Sequence, residues 1–190
     1  MKLVLNNAIV SARGIMDGWV YKRFEDETVA AHLPTPNGAP PSVNQVRVLD
    51  RFTDAASYAG AVNADPVRKA VYAAALKRAG RSASRLRALM VGDFLHLPEV
   101  KELDLAEYRG RAGDKIKVWA VDDFEVVAVT VVIKDNATGN VIEQGNAVKG
   151  DTRWLYTTQT AIPAGQVVLI EGTAFDRPGN NTTLSDTWAA

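Results

Sequence analysis

From Pro98 to the end of the chain the apolar residues recur with a period of two, and that alternation narrows the fold more than any other feature of the sequence. Ile116, Val118 and Ala120 alternate with Lys115, Lys117 and Trp119, and Val127, Val129, Val131 and Ile133 line one side of the next run. A strand sends successive side chains to opposite faces, so each run predicts a strand with one face buried. Strands are expected at 99–105, 115–121, 124–134, 140–145, 153–159, 166–175 and 181–188. Turn-forming residues separate them: Gly110 to Asp114, Asp122-Asp123, Asn136 to Gly139, Lys149 to Thr152, Pro163 to Gly165 and Arg177 to Asn180. No helical pattern interrupts the series, which argues against a parallel sheet with helical crossovers.

The first half reads differently. Lys2 to Leu5, Trp19 to Phe24 and Thr28 to His32 are strand material, with a hairpin turn at Glu25-Asp26. The four prolines between Pro34 and Pro41 remove donors and fix φ, so this stretch is a loop or a stiff arm. Ser42 and Gln45 form a capping-box pattern ahead of a helix over 43–62, with Leu49, Phe52, Ala56 and Ala59 at helical spacing. Asp65-Pro66 starts a second helix, 66–79, which Gly80 stops. Ser82 starts a third, with Leu86, Leu89, Met90 and Phe94 on one face. The expected fold class is therefore α+β. A strand-plus-helix module spans 1–98, with strands in 1–33, the Pro-rich arm at 34–41 and three helices in 42–95. A seven-stranded antiparallel β-sandwich of immunoglobulin-like type follows over 99–190.

Two stretches carry family resemblances. The run from Ala120 to Ile133 (Ala-Val-Asp-Asp-Phe-Glu-Val-Val-Ala-Val-Thr-Val-Val-Ile), with Ala174 to Thr183 and its Asp-x-x-Gly-Asn hairpin, resembles bacterial immunoglobulin-like domains. The N-terminal half is similar to an uncharacterised family common in Bacteroidetes-type bacteria. That resemblance rests on the hairpin Arg13 to Lys22, on Pro41 to Gln45, on Arg51-Phe52 with Ala55 and Tyr58-Ala59, and on Asp65-Pro66. Together they imply an architecture and no activity.

Composition removes several chemistries. The chain has no cysteine, which excludes disulfides, thiolate catalysis and Cys-ligated metals. Its two histidines, His32 and His96, belong to no triad or metal motif, and no phosphate-binding glycine loop occurs. No cofactor is expected, and no enzyme. Asp122, Asp123 and Asp176, with Asp104 or Asn180, could converge on a hard cation, but Asp and Asn in such places are commonly turn formers, so no metal is the expectation. The short apolar start before Asn6 is not a signal-peptide core and no stretch is long enough to span a membrane, so synthesis in the cytoplasm is expected, with release or assembly outside the cell as a polymer or particle left open.

Charge is what remains. Residues 1–98 hold 13 basic and 8 acidic groups and residues 99–190 hold 9 and 14, so the halves carry about +5 and −5. Arg68, Lys69, Lys77, Arg78, Arg81, Arg85 and Arg87 form a basic run with no acid between Pro66 and Gly92, and Tyr72 lies among them as a stacking candidate. The bland alternative is a solvated face, or one that docks on an acidic neighbour. Trp119, Trp154, Tyr156 and Phe175 read as sandwich-packing rings. Trp188, next to the terminus, either staples the last strand or meets a partner.

The expected function is a structural protein that self-associates into a homopolymer or particle (a filament, sheath or phage subunit) by strand addition and head-to-tail contacts. The interaction candidates are Trp19, Tyr21, Arg68, Lys69, Arg81, Arg85 and Trp188. Two alternatives stand beside it: a nucleic-acid-binding module using the basic helices over 66–87, and an adhesive or carbohydrate-binding module using exposed rings.

Overall fold

The computed structural model describes residues 14–24, 27–35 and 38–189. The expected strand Lys2–Leu5 and the turn at Glu25-Asp26 lie outside them. Among the described residues the architecture is α+β, with three α-helices and three antiparallel sheets. By compactness the chain divides into residues 1–45 and 46–190. The change from helix to strand does come at Pro98, but the helices belong to the same compact unit as the strands that follow.

The N-terminal unit holds a meander of β1 (Gly14–Met16), β2 (Trp19–Phe24) and β3 (Glu27–His32). The two-residue connection Asp17-Gly18 has φ of +49° and +76°, the left-handed pair that a tight hairpin demands and that Asp-Gly supplies. Trp19 pairs with His32 across the sheet, their ring centres 3.7 Å apart.

Three helices follow the proline arm: α1 (Val43–Ala64), α2 (Pro66–Arg78) and α3 (Leu86–Leu95), the last preceded by a 3-10 turn at Ala83–Arg85. Their ends obey local chemistry. The Ser42 backbone N–H donates to Gln45 Oε1 at 2.7 Å, and the Gln45 N–H donates to Ser42 Oγ at 3.3 Å. Asp65 caps α2 by accepting from the N–H groups of Val67 and Arg68. At the other end Gly80 N–H donates to Lys77 O and Arg81 N–H to Leu76 O, which completes a Schellman motif. The burial of α1 departs from expectation. Its packed residues are Ala55, Ala59 and Val62, whereas Leu49 and Phe52 are exposed.

The strands after Pro98 are β4 (Glu99–Asp104), β5 (Lys115–Val121), β6 (Val126–Asp135), β7 (Val141–Asn146), β8 (Val148–Lys149), β9 (Trp154–Thr157), β10 (Val167–Asp176) and β11 (Asn181–Ala189). All seven expected strands are present, and the two-residue β8 is an eighth. They form two four-stranded sheets, β4-β5-β9-β8 and β11-β10-β6-β7, that share one core in a sandwich-like arrangement. Ile116, Val118, Trp154 and Tyr156 enter that core from the first sheet, and Val129, Val131, Ile133, Val168 and Ile170 from the second. Val127 does not join Val129 on the buried side. A bulge beside Phe175 and Asp176 shifts the register there, so Val126 turns inward and Val127 is 40% exposed.

Candidate functional site

Among the described residues, buried carboxylates gather at the junction between the helices and one end of the sandwich. It starts from the β5–β6 turn, where Asp122 folds back to accept from the N–H groups of Phe124 and Glu125. That turn projects Phe124 into the helical cluster of Ala59, Val62, Tyr72 and Met90. Phe124 stacks on Tyr72 with ring centres 4.5 Å apart and planes 18° from parallel. On the β10–β11 turn, Asp176 accepts from Gly179 N–H, Asn180 N–H and Asn180 Nδ2, and Asn180 Nδ2 also donates to the carbonyl of Phe94 on α3, at 3.1 Å. His96 Nδ1 lies 3.1 Å from Asp123 Oδ2 at the exposed rim.

At the centre stands Asp93 of α3, which is 3% exposed. Its Oδ2 accepts a short hydrogen bond from the Tyr72 hydroxyl, and Tyr72 and Tyr58 share a second, 2.7 Å long. Asp93 Oδ1 is buried with no hydrogen-bond partner, and so is Asp122 Oδ1. The Asp93 pKa is raised to about 6: burial is the largest cause, the Tyr72 hydrogen bond opposes it, the charges of Asp122 and Asp176 add to the rise and Arg177 lessens it. Burial also raises Asp176, against the hydrogen bonds from Asn180 and Gly179, and raises the Tyr72 phenol. A carboxyl with a pKa of about 6 is poised to exchange a proton near neutrality. Here, however, Oδ2 is engaged by Tyr72 and Oδ1 is sealed from solvent, so the geometry suits holding the elements together.

Two adjoining grooves of about 380 and 450 Å³ run along this junction. They share Leu76, Leu89 and Phe124 with Arg81 and Asp123; Arg85 and His96 line the first, and Arg78 and Lys149 the second. Their apolar walls and basic rim could receive an acidic or amphipathic group.

The residues expected from sequence are spread over the molecule. Asp122 and Asp176 serve as turn caps beside Asp93, Asp123 lies at the rim, and Asp104 caps Ala106. Among the described residues no group of three or more His, Asp or Glu is arranged to hold a metal ion. Arg81 and Arg85 meet at the groove, whereas Arg68 lies over the Tyr58 ring, 5.2 Å from its centre, and Lys69 is half-buried on α2. Tyr72 is 1% exposed, so it offers no ring to a nucleic-acid base. Trp19 and Tyr21 are half-buried on β2. Trp188 staples β11: its ring packs edge-on against Tyr108, and a Cβ on Gly110 (φ +74°) would meet it at 2.6 Å. Of the other rings, Trp154 and Tyr156 are buried, and Trp119 is exposed with Arg153 stacked over it at 4.3 Å.

Sequence reasoning missed Asp93 and Phe124. The available signals were that Asp93 is the first acid after Asp65 and lies on the apolar face of Met90, and that Phe124 is an aromatic ring directly after the Asp122-Asp123 turn.

Among the described residues no helix is long and apolar enough to cross a membrane. No family model matches the chain, and no curated protein matches it. Among solved structures, half of the chain is similar to part of an engineered protein at 16% identity and a TM-score of 0.36, covering 20% of that protein. Half of it is also similar to a bromine derivative of BhCBM56 at 17% identity and a TM-score of 0.31, covering 91% of that chain.

Proposed function

We propose that this protein is a non-enzymatic structural subunit that associates with its own copies into a homopolymer or particle, such as a filament, a sheath or a phage structure. The observation that carries this reading is the exposure of apolar side chains on each of the two compact units, taken separately. Ile15, Met16 and Leu33 around the N-terminal sheet and Val46, Val48, Leu49 and Phe52 on α1 are 41–68% exposed. Scattered exposed apolar residues are ordinary, but four of them in the first ten residues of α1 favour a contact surface on that helix. Among the described strands β1 and β3 are the outer strands of their sheet, which supports strand addition from a neighbour. Arg78, Arg81 and Arg87 stay exposed while the helices attach to the sandwich through Phe124, so the basic face remains open to the acidic half of another copy.

The same proposal takes residues 99–190 as an immunoglobulin-like domain. Reading β4 to β11 as A, B, C, C′, D, E, F and G turns the two sheets into A-B-E-D and G-F-C-C′, an order that supports the assignment.

Size-exclusion chromatography with light scattering across protein concentration and salt, with negative-stain microscopy of the same samples, is the test. Ordered assemblies are expected, and a strict monomer under every condition overturns the proposal. A second reading, binding of nucleic acid, is favoured by the exposed basic rim of the groove. It predicts salt-sensitive binding of single-stranded DNA, measured by fluorescence anisotropy, that is lost when Arg81, Arg85 and Arg87 are changed to Ala.

A further inference from the structure

We infer that the two grooves at the junction of helices and sandwich form one docking site for an acidic peptide segment of a partner protein, with large apolar side chains set between its carboxylates. Two turns build the site. After α2 the Schellman motif around Gly80 (φ +63°) turns the chain so that Arg81 follows Arg78 closely, and Arg81 lines both grooves. The β5–β6 turn brings in Phe124, which with Leu76 and Leu89 makes the apolar wall that the grooves share. The grooves, about 380 and 450 Å³, lie side by side and open to solvent. Two adjoining hollows of that size suit an extended segment, whose side chains at alternate positions point the same way, with one large apolar side chain in each.

Charge on the rim says what else the segment carries. Arg78 and Arg81 are exposed, and neither has an acidic partner among the described residues. The acids on the same walls are answered within the chain: Asp123 Oδ2 lies 3.1 Å from His96 Nδ1, and Glu125 Oε2 lies 2.7 Å from Arg177 Nη2. Uncompensated guanidinium groups therefore stand above an apolar wall, and a guanidinium takes a carboxylate through paired N–H donors. A nucleic acid fits this pattern less well, because a phosphate at every residue would also meet Asp123 and Glu125. A peptide can place carboxylates at the arginines alone and apolar side chains between them. The inference goes beyond self-association, since it concerns a partner other than a copy of this chain.

A panel of fluorescent peptides tests it, with Asp and Glu at the flanks and Leu, Ile, Met, Phe or Trp at two central positions separated by one residue, read by anisotropy against the full chain. Members of the panel are expected to bind, and counterparts with Asn and Gln flanks, or with Ser at both central positions, to bind at least about tenfold more weakly. Arg81→Ala is expected to weaken binding by about tenfold and Arg78→Ala by less, since Arg81 lines both grooves. Arg87→Ala, exposed but outside both grooves, is expected to leave it unchanged. Ala88→Glu, at an exposed position on the first groove, is expected to abolish binding with unchanged circular dichroism. Absence of binding across the panel, equal binding of the neutral counterparts, or equal loss on Arg87→Ala overturns the inference. Tighter binding of oligothymidine through the same arginines overturns it in favour of nucleic acid, and dispersal of the chain's own assemblies by bound peptide overturns it in favour of a second copy. A chain that stays monomeric while the peptides bind overturns self-association alone.

Discussion

Asp93 ties the three helices to one another: its carboxylate accepts from the Tyr72 hydroxyl, which in turn accepts from the Tyr58 hydroxyl, while the negative charges of Asp122 and Asp176 on the sandwich turns oppose its ionisation. Its pKa rises from 3.8 to about 6 on folding, so the folded state favours the protonated form. The stabilisation is complete below pH 3.8 and is lost as pH rises through 6; a rise of two units corresponds to about 3 kcal/mol. Asp176, also raised, acts in the same direction. Thermal midpoints measured between pH 4 and pH 7.5 are therefore expected to fall as pH rises. Asp93→Asn, which keeps an acceptor for Tyr72, should remove most of that slope and raise the midpoint at pH 7.5. Tyr72→Phe leaves Asp93 Oδ2 buried without its donor and should cost about 1–3 kcal/mol in chemical denaturation at neutral pH. None of this was legible in the sequence. An aspartate on a helix reads as solvated until its neighbours, drawn from segments near positions 58, 72, 122 and 176, are known.

The elements themselves were legible where local chemistry sets them. Ser42 with Gln45, Asp65 with Pro66, and Gly80 mark helix ends through backbone donors and acceptors a few residues away, and the structure uses all three. Period-two alternation located every long strand of the sandwich because the two faces of each meet different solvents. What failed was the assignment of sides where a bulge intervenes, as at Val127, and the burial of Leu49 and Phe52, whose spacing shows a face but not whether anything covers it. Two substitutions probe the packing between elements. Phe124→Ala should cost about 2–3 kcal/mol in equilibrium denaturation and expose the 95–98 connection to limited proteolysis, since the ring is the apolar link from the β5–β6 turn to the helices. Gly172→Val should destabilise by about 1–3 kcal/mol, because a Cβ there meets Leu103 of the opposite sheet at 2.6 Å.

At the scale of the whole molecule, the charge split expressed in the sequence, about +5 before Pro98 and −5 after it, falls within one compact unit for the helical part. The helices are joined to the sandwich by an aromatic stack and the partly buried hydrogen bond from Asn180 to Phe94, which leaves exposed basic residues on the helices. If those residues hold neighbouring copies together, assembly should weaken as ionic strength rises, which light scattering across salt measures. By itself the sequence determined the α+β class, the helix ends, the order and spacing of the strands and the chemistries that lack of cysteine rules out. These depend on neighbours within a few residues or on the alternation of solvent along one element. Only the tertiary structure decided that Phe124 leaves the sandwich to pack among helices, that Asp93 is buried beside two other carboxylates, and that half of α1 is bare. The first two bring together segments distant in sequence, Phe124 with Tyr72 and Asp93 with Asp176, and the third is set by what fails to cover the helix, neither of which a local pattern encodes.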